Sequence, residues 1–112
     1  MKPNRQDSAS DRRRREDALF RAVISLADVR ECRNFFRDLC TPAELQALVD
    51  RWQVVELLQQ KLPYRKIHEL TGVSVTTIGR VARFLVDGHG GYETAAGRTL
   101  GKQRARKSGA TH

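Results

Sequence analysis

Apolar residues recur every three or four positions along most of the chain, which is the spacing of amphipathic helices. The pattern begins near residue 17 and starts again after Asp28, so we predict two helices in the first part of the chain. Their apolar positions are Leu19, Phe20, Val23, Ile24, Leu26 and Ala27, followed by Val29, Cys32, Phe35, Phe36 and Leu39. No segment shows the strict alternation of a β-strand, and the pattern therefore predicts an all-α fold.

The clearest helix start is the run Thr41-Pro42-Ala43-Glu44, which has an N-cap, a proline at the first helical position and the glutamate of a capping box. A long helix follows, and its about 19 residues at 1.5 Å each are expected to extend roughly 28 Å. Its apolar face is formed by Leu45, Leu48, Val49, Trp52, Val55 and Leu58. Pro63 ends this helix and is well placed to open the next.

Residues 63–85 have the form of a helix-turn-helix. The first helix places Ile67 and Leu70 inward, and Gly72 makes the turn because a tight turn favours a residue that tolerates a left-handed backbone. Val73 supplies a buried plug between the helices. Ser74 is expected to cap the second helix, whose apolar positions are Val75, Ile78, Val81, Ala82 and Leu85. After Gly91 we predict only a short helix, around residues 92–96.

The outer face of this second helix is small and cationic. At about 100° per residue, the side opposite the apolar positions carries Thr76, Arg80 and Arg83, flanked by Thr77 and Gly79. Such a surface suits the major groove of DNA, since arginine can pair with guanine O6 and N7 and threonine can contact a thymine methyl group or a base edge. We expect Gly79 to permit close approach of the helix to the bases.

Other residues of the same segment are expected to contact phosphate. They are Ser74, together with the free amides of the helix start, and Arg65 and Lys66 of the first helix. His68 stands where a helix-turn-helix usually has a small residue, and a hydrogen bond from its ring is expected to close the turn. The alternative interpretation is a helical hairpin whose cationic face is merely solvated.

The position of the charge favours the nucleic-acid interpretation. The 112-residue chain has 21 basic and 13 acidic residues and a formal charge of +8. Residues 1–15 account for +4 and residues 98–112 for +5, while residues 16–97 sum to −1. Both ends are nearly free of large apolar groups, so we predict a folded domain over residues 16–97 between two disordered basic tails. Within that domain, residues 61–83 carry +4, which places positive charge on the helix-turn-helix.

Composition and motifs argue against several other classes. No apolar run approaches the roughly 20 residues that span a bilayer, and no signal peptide follows the arginines at 12–15, so we expect a cytoplasmic protein. Cys32 and Cys40 form no Cys-x-x-Cys pair, and we expect no metal site. No catalytic triad order, glycine-rich phosphate loop or His-x-x-x-His spacing appears, so we expect no enzyme and no catalytic residues.

The order of these elements resembles a known group of proteins. The segments DLCTPAELQALVDRWQVVELL and TGVSVTTIGRVARFL, with GGY after them, are similar to the Trp-repressor superfamily and in particular to its YerC/YecD-type branch. The likeness covers most of residues 16–95 and rests on the combination of the TPAEL cap, the long helix and the helix-turn-helix. It implies an all-helical, intertwined homodimer that binds operator DNA in the cytoplasm.

A dimer is also expected on physical grounds, because a core of about 80 residues buries only about 60–65% of its unfolded surface. Ordinary packing within one chain is the alternative for each candidate interface residue. These candidates are Leu19, Phe20, Val23, Phe35, Phe36 and Trp52. A two-fold axis would set the two recognition helices about 34 Å apart and predicts a palindromic operator in double-stranded DNA.

The founding repressor of that superfamily takes L-tryptophan as its effector. The positions that match those surrounding the amino acid there are Thr41, Arg51, Thr77 and Arg80. Val81 and Phe84 depart from the pattern, because they stand where that repressor has glycine and serine. Both add bulk where the indole and carboxylate would lie, so we expect side chains to fill the pocket and expect no cofactor. The alternative is an effector pocket formed by these four residues, Thr41, Arg51, Thr77 and Arg80, that takes L-tryptophan as a co-repressor.

Two functions therefore compete. The leading hypothesis is a homodimeric, sequence-specific transcriptional regulator, most simply a repressor that occupies a promoter. The alternative is a non-specific DNA- or RNA-binding protein that relies on its basic tails. Their combined +9 predicts a steep salt dependence with little sequence preference.

Overall fold

The computed structural model of the chain describes the backbone of residues 8–109 and the side chains of residues 8–100. Its helices are α1 (Ala9–Ile24), α2 (Val29–Leu39), α3 (Pro42–Gln59), α4 (Tyr64–Thr71), α5 (Val75–Asp87) and α6 (Gly91–Gly109). No strand occurs within these residues, and the all-α prediction is confirmed. The chain divides into two compact units, the first ending at Pro42 and the second beginning at Ala43, in the first turn of α3.

Helix starts follow the local signals of the sequence. The Asp28 carboxylate caps α2 by accepting a hydrogen bond from the backbone N–H of Glu31 at 2.9 Å. The long helix α3 begins at Pro42, as predicted for a proline at the first helical position, and it has 18 residues. Helix α4 follows Pro63, whose backbone is extended. These starts confirm the helix order that the sequence pattern predicts.

Both ends of the chain differ from the prediction of disordered tails. Helix α1 begins at Ala9 and α6 continues to Gly109, so residues 9–15 and 98–109 are helical. Ser8 explains the early start, since its side chain accepts a hydrogen bond from the backbone N–H of Asp11 at 3.1 Å and so caps α1. Arginine, lysine, glutamine and alanine are good helix formers even without an apolar face. Residues 1–7 and 110–112 of the predicted tails lie outside the described residues.

The first unit has no buried side chain in α1 or α2. Apolar residues that the pattern assigns to one face stay accessible, with Phe20 56% and Ile24 79% exposed. Phe35 and Phe36 meet edge to face, with ring centroids 5.5 Å apart. Among the described residues of this unit, α1 and α2 therefore present apolar surface and form no buried core.

The second unit contains the hydrophobic core, and its buried residues are all apolar among the side chains that the structure describes. The buried members are Val54, Val55, Ile67, Val73, Ile78, Val81 and Ala96. Helix α4 packs against α5 and α5 against α6, so this core holds the helix-turn-helix in place. Leu70 and Val75, which were predicted to point inward, are more than half exposed because each lies at a helix end beyond the core.

Candidate nucleic-acid interface

Helices α4 and α5 form a helix-turn-helix with a three-residue turn. Gly72 ends α4 in the left-handed conformation, at φ 75° and ψ 0°, and its N–H donates to the carbonyl oxygen of His68 at 2.8 Å. The Thr71 hydroxyl donates to the carbonyl oxygen of Ile67 at 2.7 Å and accepts from the N–H of Val73 at 3.0 Å. The prediction that glycine makes this turn is confirmed.

The ring of His68 closes the turn from α4. Its Nδ1 lies 2.7 Å from the carbonyl oxygen of Val73 and therefore donates a hydrogen bond through the Nδ1–H form of the imidazole. The hydrogen bond expected for this ring is confirmed. Val73 itself is buried in one cluster with Ile67 and Ile78, as predicted for the plug. Backbone and side chain together fix the orientation of α5 against α4.

Ser74 caps α5, as predicted. Its Oγ accepts from the backbone N–H of Thr77 at 3.1 Å, and its hydroxyl lies 3.1 Å from Thr77 Oγ1, to which it donates. The two hydroxyls are thus engaged with each other. The N–H groups of Val75 and Thr76, which have no partner within the helix, remain available to an anion at this end of α5.

The solvent face of α5 carries Thr76, Arg80 and Arg83, all three of them exposed. The opposite side of the helix is buried through Ile78 and Val81, which sets this rotation. Among the described side chains, neither arginine of this face makes a hydrogen bond or an ion pair. The face therefore presents unneutralised positive charge and free donors to solvent.

Arg65 and Lys66 lie in the first turn of α4 and are also exposed. Neither forms an ion pair within the part of the chain that the structure describes, and Glu69 is the acid of this helix. The helix-turn-helix thus adds two accessible cations of α4 to the two of α5. Sequence reasoning placed all four residues in this segment, and their contact with phosphate or bases stays a prediction.

Gly79 lies half-buried at the edge of the α5 face. A Cβ atom at this position would lie 3.9 Å from Cε2 of Tyr64, the first residue of α4. The tyrosine ring, itself partly exposed, therefore borders the candidate DNA-binding face. The sequence analysis missed Tyr64, because contact between the start of α4 and the middle of α5 depends on the angle between the two helices.

Phe84 is a second residue that the sequence analysis left out of the DNA-binding set. Cζ of Arg80 lies over the Phe84 ring, 5.2 Å from its centroid. The same ring lines a shallow depression of about 410 Å³, together with Gly88, His89, Gly91 and Tyr92. The spacing of Arg80 and Phe84, four residues apart on a helix, is the signal that could have found this pair.

The positions matched to the tryptophan site are divided between the two units. Thr41 belongs to the first unit, whereas Arg51, exposed on α3, belongs to the second with Thr77 and Arg80. In the second unit, the Thr77 hydroxyl already accepts a hydrogen bond from the Ser74 hydroxyl. The Val81 side chain, which stands where the founding repressor has glycine, is 2% exposed and forms part of the core.

The described residues offer neither a metal site nor a membrane-spanning helix. No group of three or more His, Cys, Asp or Glu side chains that could hold a metal ion is found in the described part of the chain. Within that part, no helix combines the length and the hydropathy needed to cross a membrane. Cys32 and Cys40 are free thiols, both half-buried.

Comparison with known proteins gives matches over most of the chain. A family model described as Trp repressor protein matches residues 15–100. The uncharacterized protein YerC of Bacillus subtilis (strain 168) is 45% identical over 82 residues, which are 73% of this chain and 79% of YerC.

Two solved structures are also similar. A TrpR like protein from Eubacterium eligens ATCC 27750 superposes with a TM-score of 0.71 at 41% identity, covering 76% of this chain and 87% of that one. A "putative Trp repressor" from Staphylococcus aureus superposes with a TM-score of 0.75 at 34% identity, covering 84% of this chain and 96% of that one.

Proposed function

The chain belongs to the Trp repressor protein family, a family of DNA-binding regulators, and on this premise we propose that it is a homodimeric, sequence-specific transcriptional regulator. The observation that carries the proposal is the solvent face of α5, where Arg80 and Arg83 are exposed and form no ion pair among the described residues. The simplest mode of action is repression by occupying a promoter in the cytoplasm. The family is regulatory, and no enzymatic activity is proposed.

Sequence recognition is assigned to the outer face of α5. Arginine can donate two hydrogen bonds to guanine O6 and N7 in the major groove, and the Thr76 side chain can contact a thymine methyl group or a base edge. The N–H groups of Val75 and Thr76 at the start of α5, together with Ser74, Arg65 and Lys66, would hold phosphate and set the register. In this arrangement Arg80 and Arg83 discriminate between DNA sequences, whereas Arg65 and Lys66 of α4 add affinity for any sequence.

A homodimer is proposed because α1 and α2 bury no side chain although they carry large apolar residues. Phe20 and Ile24 are more than half exposed in the single chain, and a partner copy would remove this surface from water. Half-buried Val23, Phe35 and Phe36 remain interface candidates alongside the more exposed Leu19, whereas Trp52 packs against the core of its own chain, which favours the alternative for that residue. Two-fold symmetry would place two α5 helices about one DNA turn apart, roughly 34 Å, on a palindromic site.

Operator binding independent of L-tryptophan is part of the proposal. The Val81 side chain is buried in the core, and the Arg80 guanidinium lies over Phe84, so two of the positions that the founding repressor uses around its effector have other roles here. Binding to a selected operator is therefore expected to be the same with and without added L-tryptophan. Tighter binding in its presence would contradict this part of the proposal.

Selection of bound sites from random double-stranded DNA with the purified full chain tests the function directly. The expected outcome is a palindromic consensus, on which Arg80→Ala binds more weakly by about 1–3 kcal/mol, with relaxed preference at one position of each half-site. Arg98→Ala is the matched control, because Arg98 is an exposed arginine of α6 outside the helix-turn-helix. It removes the same charge and should weaken binding slightly and equally on all sequences.

Two results would overturn the proposal. A selection without any consensus, combined with a steep salt dependence, would favour the non-specific alternative in which basic residues at the chain ends carry the binding. Equal effects of Arg80→Ala and Arg98→Ala on every sequence would show that α5 does not distinguish bases. Replacing the basic residues of 1–15 and 98–112 by glutamine, which leaves α1, α6 and the core contact of Leu100 in place, separates the two functions further, since a sequence-specific regulator would keep its consensus.

A further inference from the structure

Phe84 is a large aromatic residue that takes no part in the hydrophobic core. Its side chain is 41% exposed, and it is not among the residues that pack against the buried cluster. It lies one helical turn after Arg80 on α5, on the side of the helix that borders the solvent face. Phe84 keeps 41% of its surface accessible and lies outside the buried cluster, so core packing alone does not account for this residue.

The contact that Phe84 does make is with Arg80. The guanidinium carbon lies over the ring at 5.2 Å from the centroid, within the range in which a cation is attracted to an aromatic face. The ring lies on one side of the guanidinium group, whose five N–H donors lie in the guanidinium's own plane. Arg80 forms no hydrogen bond or ion pair with any described side chain, so these donors are free.

We propose that Phe84 is a positioning residue that holds the Arg80 guanidinium over its ring, with the donor edge free to pair with guanine. This inference rests on the proposed function, and it adds a residue and a mechanism to it. A long arginine side chain has many rotamers in water, and ordering it on binding reduces affinity. The ring restricts these rotamers before DNA is bound, so that part of the ordering is already present in the free protein.

Arg83 provides an internal comparison on the same helix. It is an exposed arginine of the same face, but the residue four positions later is Asp87, and no aromatic ring is recorded over its guanidinium among the described residues. The proposal therefore assigns the stronger base discrimination to Arg80. A preference for guanine is expected at the operator position that Arg80 contacts, and Arg83 is expected to show a weaker preference.

The first test uses the protein without DNA. Ring currents displace the NMR signals of protons above an aromatic face, so the Arg80 side-chain protons should have displaced signals in the native chain and in Phe84→Tyr. They should return to ordinary values in Phe84→Leu, which keeps an apolar side chain and removes the ring. Identical Arg80 signals in the native chain and in Phe84→Leu would overturn the proposal, whatever the protein does with DNA.

The second test measures affinity for the selected operator. Phe84→Leu is expected to bind about two- to fivefold more weakly, the equivalent of one exposed cation–π contact, with reduced preference for guanine at a single position. Phe84→Tyr should retain native affinity because its ring offers the same face to a cation. Phe84→Met serves as a second non-aromatic variant if the leucine variant unfolds, and thermal unfolding checks the fold of each.

Double-mutant cycles identify the residue through which Phe84 acts. In an Arg80→Ala background, Phe84→Leu should have no further effect on affinity, whereas in an Arg83→Ala background its two- to fivefold effect should persist. Equal effects in both backgrounds would overturn the proposal. A displaced Arg80 signal in the free protein, combined with no effect of Arg80→Ala on operator choice, would leave the stacking intact and refute the assigned role of α5 itself.

Discussion

Replacing Gly79 by alanine is expected to stabilise the protein and at the same time weaken its binding to DNA. Gly79 lies within the 13 residues of α5, and a glycine inside a helix is less favourable than alanine by about 0.8–1.0 kcal/mol. The added methyl would approach Cε2 of Tyr64 at 3.9 Å, which is an ordinary van der Waals contact. The free energy of unfolding should therefore rise by about 1 kcal/mol, and Tm by roughly 4–8 °C.

The same methyl group would lie at the edge of the face that carries Thr76, Arg80 and Arg83. If α5 approaches base edges there, as proposed, the methyl forces the helix outward from a closely packed contact. Overpacking by one such group costs about 1–3 kcal/mol, which corresponds to roughly 5- to 150-fold weaker binding. A variant that is more stable and binds more weakly separates the DNA contact from the integrity of the fold.

Gly97→Ala is the matched control for this experiment. Gly97 lies inside α6, and nothing lies within 4 Å of the methyl that would be added. It should raise Tm by a similar amount and leave DNA affinity unchanged. Thermal unfolding followed by circular dichroism and fluorescence anisotropy on the selected operator provide the two measurements. Native affinity in Gly79→Ala would mean that α5 does not approach DNA at this residue, and a lower Tm would contradict the contact distance to Tyr64.

Substitutions at three other positions test the turn and the proposed interface. Gly72→Ala should lower the free energy of unfolding by roughly 1–2 kcal/mol, since alanine is strained in the left-handed backbone; an unchanged urea midpoint would contradict the conformation of the turn. His68→Leu should destabilise by about 1–3 kcal/mol because the Val73 carbonyl loses its donor, whereas His68→Asn, which has an amide N–H at a similar position, should recover most of this loss in the same urea titration. Phe20→Asp should convert the dimer to monomer in sedimentation velocity, and an unchanged sedimentation coefficient would show that this face of α1 is not the interface.

The helix-turn-helix could be predicted in detail because its signals are local. Gly72 at the turn, Ser74 at the cap and Ile67 on the inner side each act through the backbone or through helical periodicity, and all three occupy the predicted places. Pro42 set the start of α3 for the same reason. Capping residues, turn glycines and helical periodicity each involve only residues that are close in the chain, so they can be recognised in a single sequence.

Two features were not predicted from the sequence. The helical chain ends depend on the balance between helix propensity and the lack of a core, and the aromatic contacts depend on where side chains are placed in the fold. The chain ends have too little apolar surface for a core, which favoured disorder, but Ser8 capping and high helix propensity make residues 9–15 helical. Contacts of Tyr64 with Gly79 and of Phe84 with Arg80 depend on interhelical angles and rotamers. For that reason the two aromatic residues that border the candidate DNA-binding face were absent from the predicted set.

The three-residue turn between α4 and α5 also has an evolutionary consequence. The N–H groups of Gly72 and Val73 and the carbonyl groups of Val73 and Ser74 are hydrogen-bonded, and Val73 is buried in the core. The turn therefore resists a tilt of α5 toward a different sequence. A descendant of this protein would acquire a new operator by exchanging the few exposed side chains of α5. Such exchanges leave the buried side untouched, and a few codons would therefore suffice to redirect the regulator to other genes.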